Sequence, residues 1–127
     1  MSFSFDPDQG AVIVQARLWG PRARAVLRLA LDTGATARLV NWDVAVLLGY
    51  DPAVSPTRQQ ITTGSGVEFA PEISVDRVEA LGIERQRFPV LCHTLPPSDG
   101  VDGLLGLDFL RGLRVAFDFR MDAITVN

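Results

Sequence analysis

Cysteine, histidine and excess positive charge are all scarce in this 127-residue sequence. Its one cysteine, Cys92, leaves no partner for an intrachain disulfide. Its one histidine, His93, is adjacent, and a lone Cys and a lone His do not build a structural zinc site. Neighbours on a strand point to opposite faces, so the two side chains do not make a Cys–His nucleophile pair either. Twelve basic side chains against 15 acidic ones give a net charge of −3. That balance supplies no electrostatic footprint for nucleic acid and no polybasic patch for an anionic membrane. No apolar run approaches the roughly 18 residues of a membrane-spanning helix. The opening MSFSFDPDQG lacks the basic start and apolar core of a signal peptide. The expectation is a cytoplasmic protein with no metal and no cofactor, and with no nucleic-acid or membrane partner.

What is present is an ordinary globular composition, 47% apolar and 21% charged. The length suggests one domain over residues 1–127, large enough to bury roughly two thirds of the surface its unfolded form exposes. Strand signals dominate. SFSF (2–5) alternates, and AVIVQARLW (11–19) is rich in β-branched residues. Gly20-Pro21 breaks that run before ARAVLRLALD (23–32) resumes it. Arg24 and Arg28 face solvent in this pattern, and Val26 and Leu27 compete for the inside, which leaves the register open. Residues 41–52 read as a helix: Asn41 suits the N-cap, Asp43 the first turn, Gly49 the stop, and Pro52 prevents continuation. Its expected apolar face is Trp42, Val46 and Leu47. Residues 57–80 read as a hairpin tipped by Gly64-Ser65-Gly66, with Pro71 interrupting its strand or confining it to an edge. RQRFPVLCHTL (85–95) is another strand candidate. GVDGLLGLDFLRG (100–112) starts as a short strand and passes Gly106 into a short helix through Leu107, Phe109 and Leu110. RVAFDF (114–119) and AITV (123–126) close the chain as strands. The class is all-β with one or two short helices, and neither repeat nor linker is visible.

Few groups here can carry chemistry. Ser65 sits at a hairpin tip, without the strand–elbow–helix context that exposes a nucleophile, and no helix follows it to make a phosphate loop. Carboxylates remain. Asp32-Thr33-Gly34 ends an apolar run, so Asp32 is expected to begin inside the protein. There an ionised carboxylate is costly unless it is hydrogen-bonded or shares a proton. Taken alone the tripeptide is also a turn that closes a strand. A second signal is VDGLLGLDFL (101–110), an apolar pair, a glycine and a short helix.

In this order, Asp32-Thr33-Gly34-Ala35, a glycine-rich hairpin, then Leu104-Leu105-Gly106-Leu107-Asp108, the sequence resembles the retropepsins, the single-domain aspartic proteases of retroviruses and their cellular relatives. The resemblance runs from about Val12 to Val126, and the closing stretch LLGLDFLRGLRVAFDFRMDAITV looks especially like cellular and bacterial members. It implies a small closed β-barrel, two copies of which make one active site, and a homodimeric aspartic endopeptidase acting on an extended peptide or protein. Asp32 would be the catalytic residue. Thr33, Gly34 and Ala35 would support its loop, with Gly106 packed against that loop. Asp108 would be structural, binding backbone at the start of the short helix. Thr62, Thr63, Gly64, Ser65 and Gly66 would form the flap, a hairpin that closes over substrate. Residues 114–127 are candidates for a dimer sheet. The chain holds one suitable Asp, since Asp102-Gly103 lacks the hydroxyl residue between acid and glycine. The chemistry therefore calls for Asp32 of a second copy.

Two departures stand out. Retroviral members usually carry an Asp two positions after the first Gly and an Arg after the second motif's Gly, and these form an ion pair near the dimer interface. Here those positions are Thr36 and Leu107. Both partners are gone together, so neither charge is stranded. The alternative these departures motivate is a peptide-binding or dimerisation module of the same fold with little or no turnover.

Overall fold

The structure, a computed structural model, describes residues 1–32, 38–63, 66–96 and 100–127, Thr63 through its backbone. The order is β1 (Ser2–Ser4), β2 (Ile13–Trp19), β3 (Arg24–Leu31), β4 (Leu39–Asn41), α1 (Trp42–Leu48), a 3-10 turn (Pro52–Val54), β5 (Arg58–Thr63), β6 (Gly66–Ala80), β7 (Ile83–His93), β8 (Gly103–Leu105), α2 (Leu107–Leu110), β9 (Val115–Asp118) and β10 (Ala123–Val126).

Six strands close a barrel in the order β2-β3-β8-β4-β7-β6, with a β6–β2 ladder sealing it. β5 extends the sheet beyond β6. Alternation sets the inside of the barrel. Val14, Ala16 and Leu18 of β2 are buried, as are Leu27 and Leu29 of β3, while Arg24, Val26 and Arg28 face solvent. The register that the sequence left open is thus decided for Leu27 and against Val26. Gly20 turns the β2–β3 hairpin through a bond from its N–H to Ala23 O at 2.9 Å. A Cβ there would stand 2.4 Å from Leu48 O, so the turn needs glycine to lie against the end of α1.

Two expectations are corrected. The apolar face of α1 is not Trp42, Val46 and Leu47: Ala45 and Leu48 are fully buried, Trp42 is half-buried, and Val46 and Leu47 are exposed. The stripe at positions 42, 45 and 48 follows the helical spacing onto the barrel. Gly49 ends the helix in the left-handed conformation, as anticipated, and Asn41 occupies the cap position without a side-chain capping bond. Pro71 does not break its strand, since β6 runs through it for 15 residues, and at Pro71 the strand is laddered on the β5 side alone. Glu72 N–H bonds to Thr57 O at 2.8 Å, so even-numbered residues of β6 turn toward β5 and odd-numbered ones toward β7. Pro71 therefore directs its missing donor toward β7, just beyond the Glu72–Leu91 end of that ladder, and no bond is lost.

Phe109, Leu18, Leu29, Leu48, Leu105 and Ile124 are the largest wholly buried side chains. Phe109 meets Phe88 edge-on, with centroids 5.7 Å apart. The termini form a separate antiparallel sheet, β1-β10-β9, fastened by a bond from the Met1 ammonium to Val126 O at 2.9 Å. Among the described residues no helix is long and apolar enough to cross a membrane.

Candidate active site

β8 inserts between β3 and β4, parallel to the first and antiparallel to the second. The strand that enters the Asp32 loop and the strand that leaves it therefore lie on opposite sides of the second motif. Gly103 makes the insertion possible: a Cβ there would fall 2.1 Å from Leu39 O and 3.0 Å from Val40 Cα. Asp102, just before it, receives the Arg28 N–H on its carboxylate at 2.9 Å, returns its own N–H to Arg28 O at 2.8 Å, and accepts the Asn41 N–H on its carbonyl at 2.7 Å. That carboxylate is a brace between β3 and β8.

Asp32 follows directly on β3, and its N–H donates to Leu105 O at 3.0 Å. Its side chain is exposed on the single chain, which corrects the expectation that the carboxylate begins inside the protein. Burial along β3 falls off after Ala30: Leu31 is partly buried against the core and Asp32 is exposed. Thr33, Gly34 and Ala35 lie outside the described residues, as does Thr36. Gly106 is buried and extended, and its carbonyl accepts the Phe109 N–H at 3.3 Å.

For Asp108 a bond to backbone was expected. Its carboxylate instead pairs with Arg38 through Oδ2 and lies 3.5 Å from Arg111 Nε through Oδ1. Arg38 also donates from Nε to Pro89 O and stacks over Phe88. From β7, Arg85 reaches the other end of α2 and donates to Phe109 O and Arg111 O, both at 2.9 Å. Two arginines thus hold a four-residue helix that would not form alone. Arg38 and Arg85 were not singled out from sequence, and Gly103 was weighed there only as part of Asp102-Gly103. A cation just past the Asp-Thr-Gly loop and an acid just past the second motif's glycine were the available signal for the first.

The hairpin residues form a second group. Thr62 pairs with Val67 and Thr63 with Gly66, which takes φ +119°. Gly64 and Ser65 lie outside the described residues. Behind the tip, His93 Nε2 at the end of β7 lies 3.2 Å from Glu68 Oε2 on β6. Cys92 beside it is wholly buried, and burial pushes its thiol up to about 12. Among the described residues no three His, Cys, Asp or Glu side chains converge as a metal would need.

Residues 23–112 match the sequence model of the family described as "gag-polyprotein putative aspartyl protease". The chain belongs to this family of retropepsin-like aspartyl proteases. The matched span opens just before β3 and closes just after α2, so it takes in Asp32, the hairpin and the second motif. The terminal strands lie outside it. The fold is similar to the crystal structure of a retropepsin-like aspartic protease from Rickettsia conorii, with TM-score 0.66 and 19% identity over 99% of this chain and 88% of that one. Comparison with curated protein sequences gave no match. The retropepsin-like fold expected from the motif order, mostly β with a closed barrel and two short helices, is the fold observed.

Proposed function

We propose that two copies of this chain form one aspartic endopeptidase, each supplying Asp32. The observation that carries the reading is the seating of β8 between β3 and β4, the strands on either side of the one Asp-Thr-Gly segment, with Asp32 exposed at the end of β3 and its N–H on Leu105 O. Opposed across a two-fold axis, two such carboxylates share one proton, because like charges so close do not both ionise. The ionised member takes a proton from a bound water, and the water attacks the peptide carbonyl. The protonated member donates to the carbonyl oxygen. The two titration steps belong to the pair and not to either chain.

An extended peptide fits this site class, because strand-like main-chain bonds give it affinity whatever its side chains. The β5–β6 hairpin around Thr62 to Gly66 acts as the flap that excludes water over it. The terminal strands of residues 114–127 supply the seam between copies.

The test is Asp32→Asn assayed on a peptide library at mildly acid and neutral pH. Cleavage should fall on the order of 10⁴-fold or more while the variant stays folded and dimeric. Undiminished cleavage would refute the reading.

A further inference from the structure

Arg38 stands where the loop rejoins the sheet, on the opposite side of β8 from Asp32. Its side chain is 18% exposed and that of Asp108 29%. Four contacts fix the residue: the Asp108 carboxylate, Pro89 O, the face of Phe88 with Cζ 5.5 Å from the centroid, and a Leu91 N–H donated to its carbonyl at 3.0 Å. A planar guanidinium with five donors is held in one orientation by such a set, where an ammonium would keep its freedom.

β4 does not need the Arg38–Asp108 bridge to stay in the sheet. It is already paired with β7 from Leu39 to Asn41 and with β8 from Leu39 to Val40. What the bridge adds is a tie between the loop's outgoing stem and the first turn of α2. The incoming stem is tied nearby, through Asp32 N–H on Leu105 O. Both ends of the segment are thus referred to one piece of chain, Leu105 to Asp108.

We infer that Arg38 is a positioning residue, whose bridge to Asp108 steadies the Leu105 to Asp108 stretch that the Asp32 N–H bonds, so that the Asp32 carboxylate keeps its working place. This rests on the reading of Asp32 as half of a shared dyad, whose geometry tolerates only about 0.5 Å of misplacement. Arg38 itself touches no reacting atom. Its loss leaves the β4 ladders to β7 and β8 in place and frees Arg38 from the first turn of α2.

Two variants of the full chain test this, Arg38→Met and Asp108→Asn, together with their double. Hydrogen exchange read by mass spectrometry should quicken about tenfold at the Asp32 and Leu91 amides, which bond to Leu105 O and Arg38 O, and stay unchanged in β2 and β10. On a cleaved peptide, kcat should fall roughly tenfold to a hundredfold with KM within about threefold, and the pH–rate profile should shift. The double variant should be no worse than the worse single, since both break one bridge. Arg38→Lys, which keeps the charge, should recover part of kcat. Should Arg38→Met fail to fold, Asp108→Asn carries the same test, because Arg38 keeps Pro89 and Phe88. Unchanged exchange and an unchanged pH profile in folded variants, or additive losses in the double, would overturn the inference. The exchange arm needs no turnover, so a protein in which Asp32→Asn still cleaves would sink the dyad and leave the bridge to be judged separately.

Discussion

The backbone N–H of Asp32 donates to the carbonyl oxygen of Leu105 at 3.0 Å, and that bond exists because β8 lies flush between the two stems of the loop. The flush fit depends on Gly103. Its missing Cβ leaves room for Leu39 O, which would otherwise sit at 2.1 Å against rigid backbone. Gly103→Ala should destabilise the protein by about 1–3 kcal/mol and depress any peptide cleavage, because β4 must move away from β8. Gly10→Ala is the matched control: nothing lies within 4 Å of a Cβ at that position. Urea midpoints at constant m-value separate the two.

Phe109 tests how α2 is held. The helix has four residues, and its buried members are Phe109 and Leu110. Phe109→Ala should cost about 3–5 kcal/mol, since the Phe88 ring loses its edge-on neighbour and the site collapses only partly. Leu107→Ala on the same helix should stay within about 0.5 kcal/mol, because Leu107 lies at the surface. Thermal unfolding followed by circular dichroism gives both values.

Much of this was legible in the residues. Alternation exposed β2 and β3, Gly49 stopped its helix, and two short motifs in a fixed order named the fold. The rest was not legible, for identifiable reasons. The buried stripe of α1 depended on where the barrel lay, and two readings of the same apolar residues satisfied helical spacing. Pro71 looked like a strand breaker because sequence does not say toward which neighbour a missing N–H will point. The exposure of Asp32 depended on how far the core reaches along β3. Arg38 and Asp108 are far apart in sequence, and only the barrel's closure brings them together.

Alkaline conditions should weaken the fold within a definite window. Burial raises the Cys92 thiol from its ordinary value near 9 to about 12. Burial is also the main cause for the Tyr50 phenol, raised from 10 to about 12; the Asp76 N–H bonded to its oxygen opposes the rise and the Asp76 carboxylate adds to it. Both groups stay protonated in the fold at pH values where the unfolded chain has released the proton. Their contribution is therefore complete below about pH 9 and is lost as pH rises toward 12. Urea midpoints should fall across that range, and Cys92→Ala should flatten the early part of the decline. At about pH 8 the native thiol should react with alkylating reagents no faster than the protein unfolds.

The terminal sheet makes the sharpest prediction about association. Arg114 and Asn127 exchange backbone bonds at 3.1 and 3.0 Å, so even-numbered residues of β9 face β10. Val115 and Phe117 consequently turn their backbone groups to the outer edge of the sheet, which carries no strand among the described residues. If the two copies join along this edge, Val115→Pro removes one outward donor at the first position of the strand, where proline is tolerated. Circular dichroism should be unchanged, the dimer dissociation constant should rise about tenfold or more, and cleavage should fade at low protein concentration and return at high concentration. Sedimentation showing an undisturbed dimer in a folded Val115→Pro protein would place the seam elsewhere, with the β1 edge next to be tried. That edge offers the N–H and C=O groups of Ser2 and Ser4, because Met1 and Phe5 turn theirs toward β10.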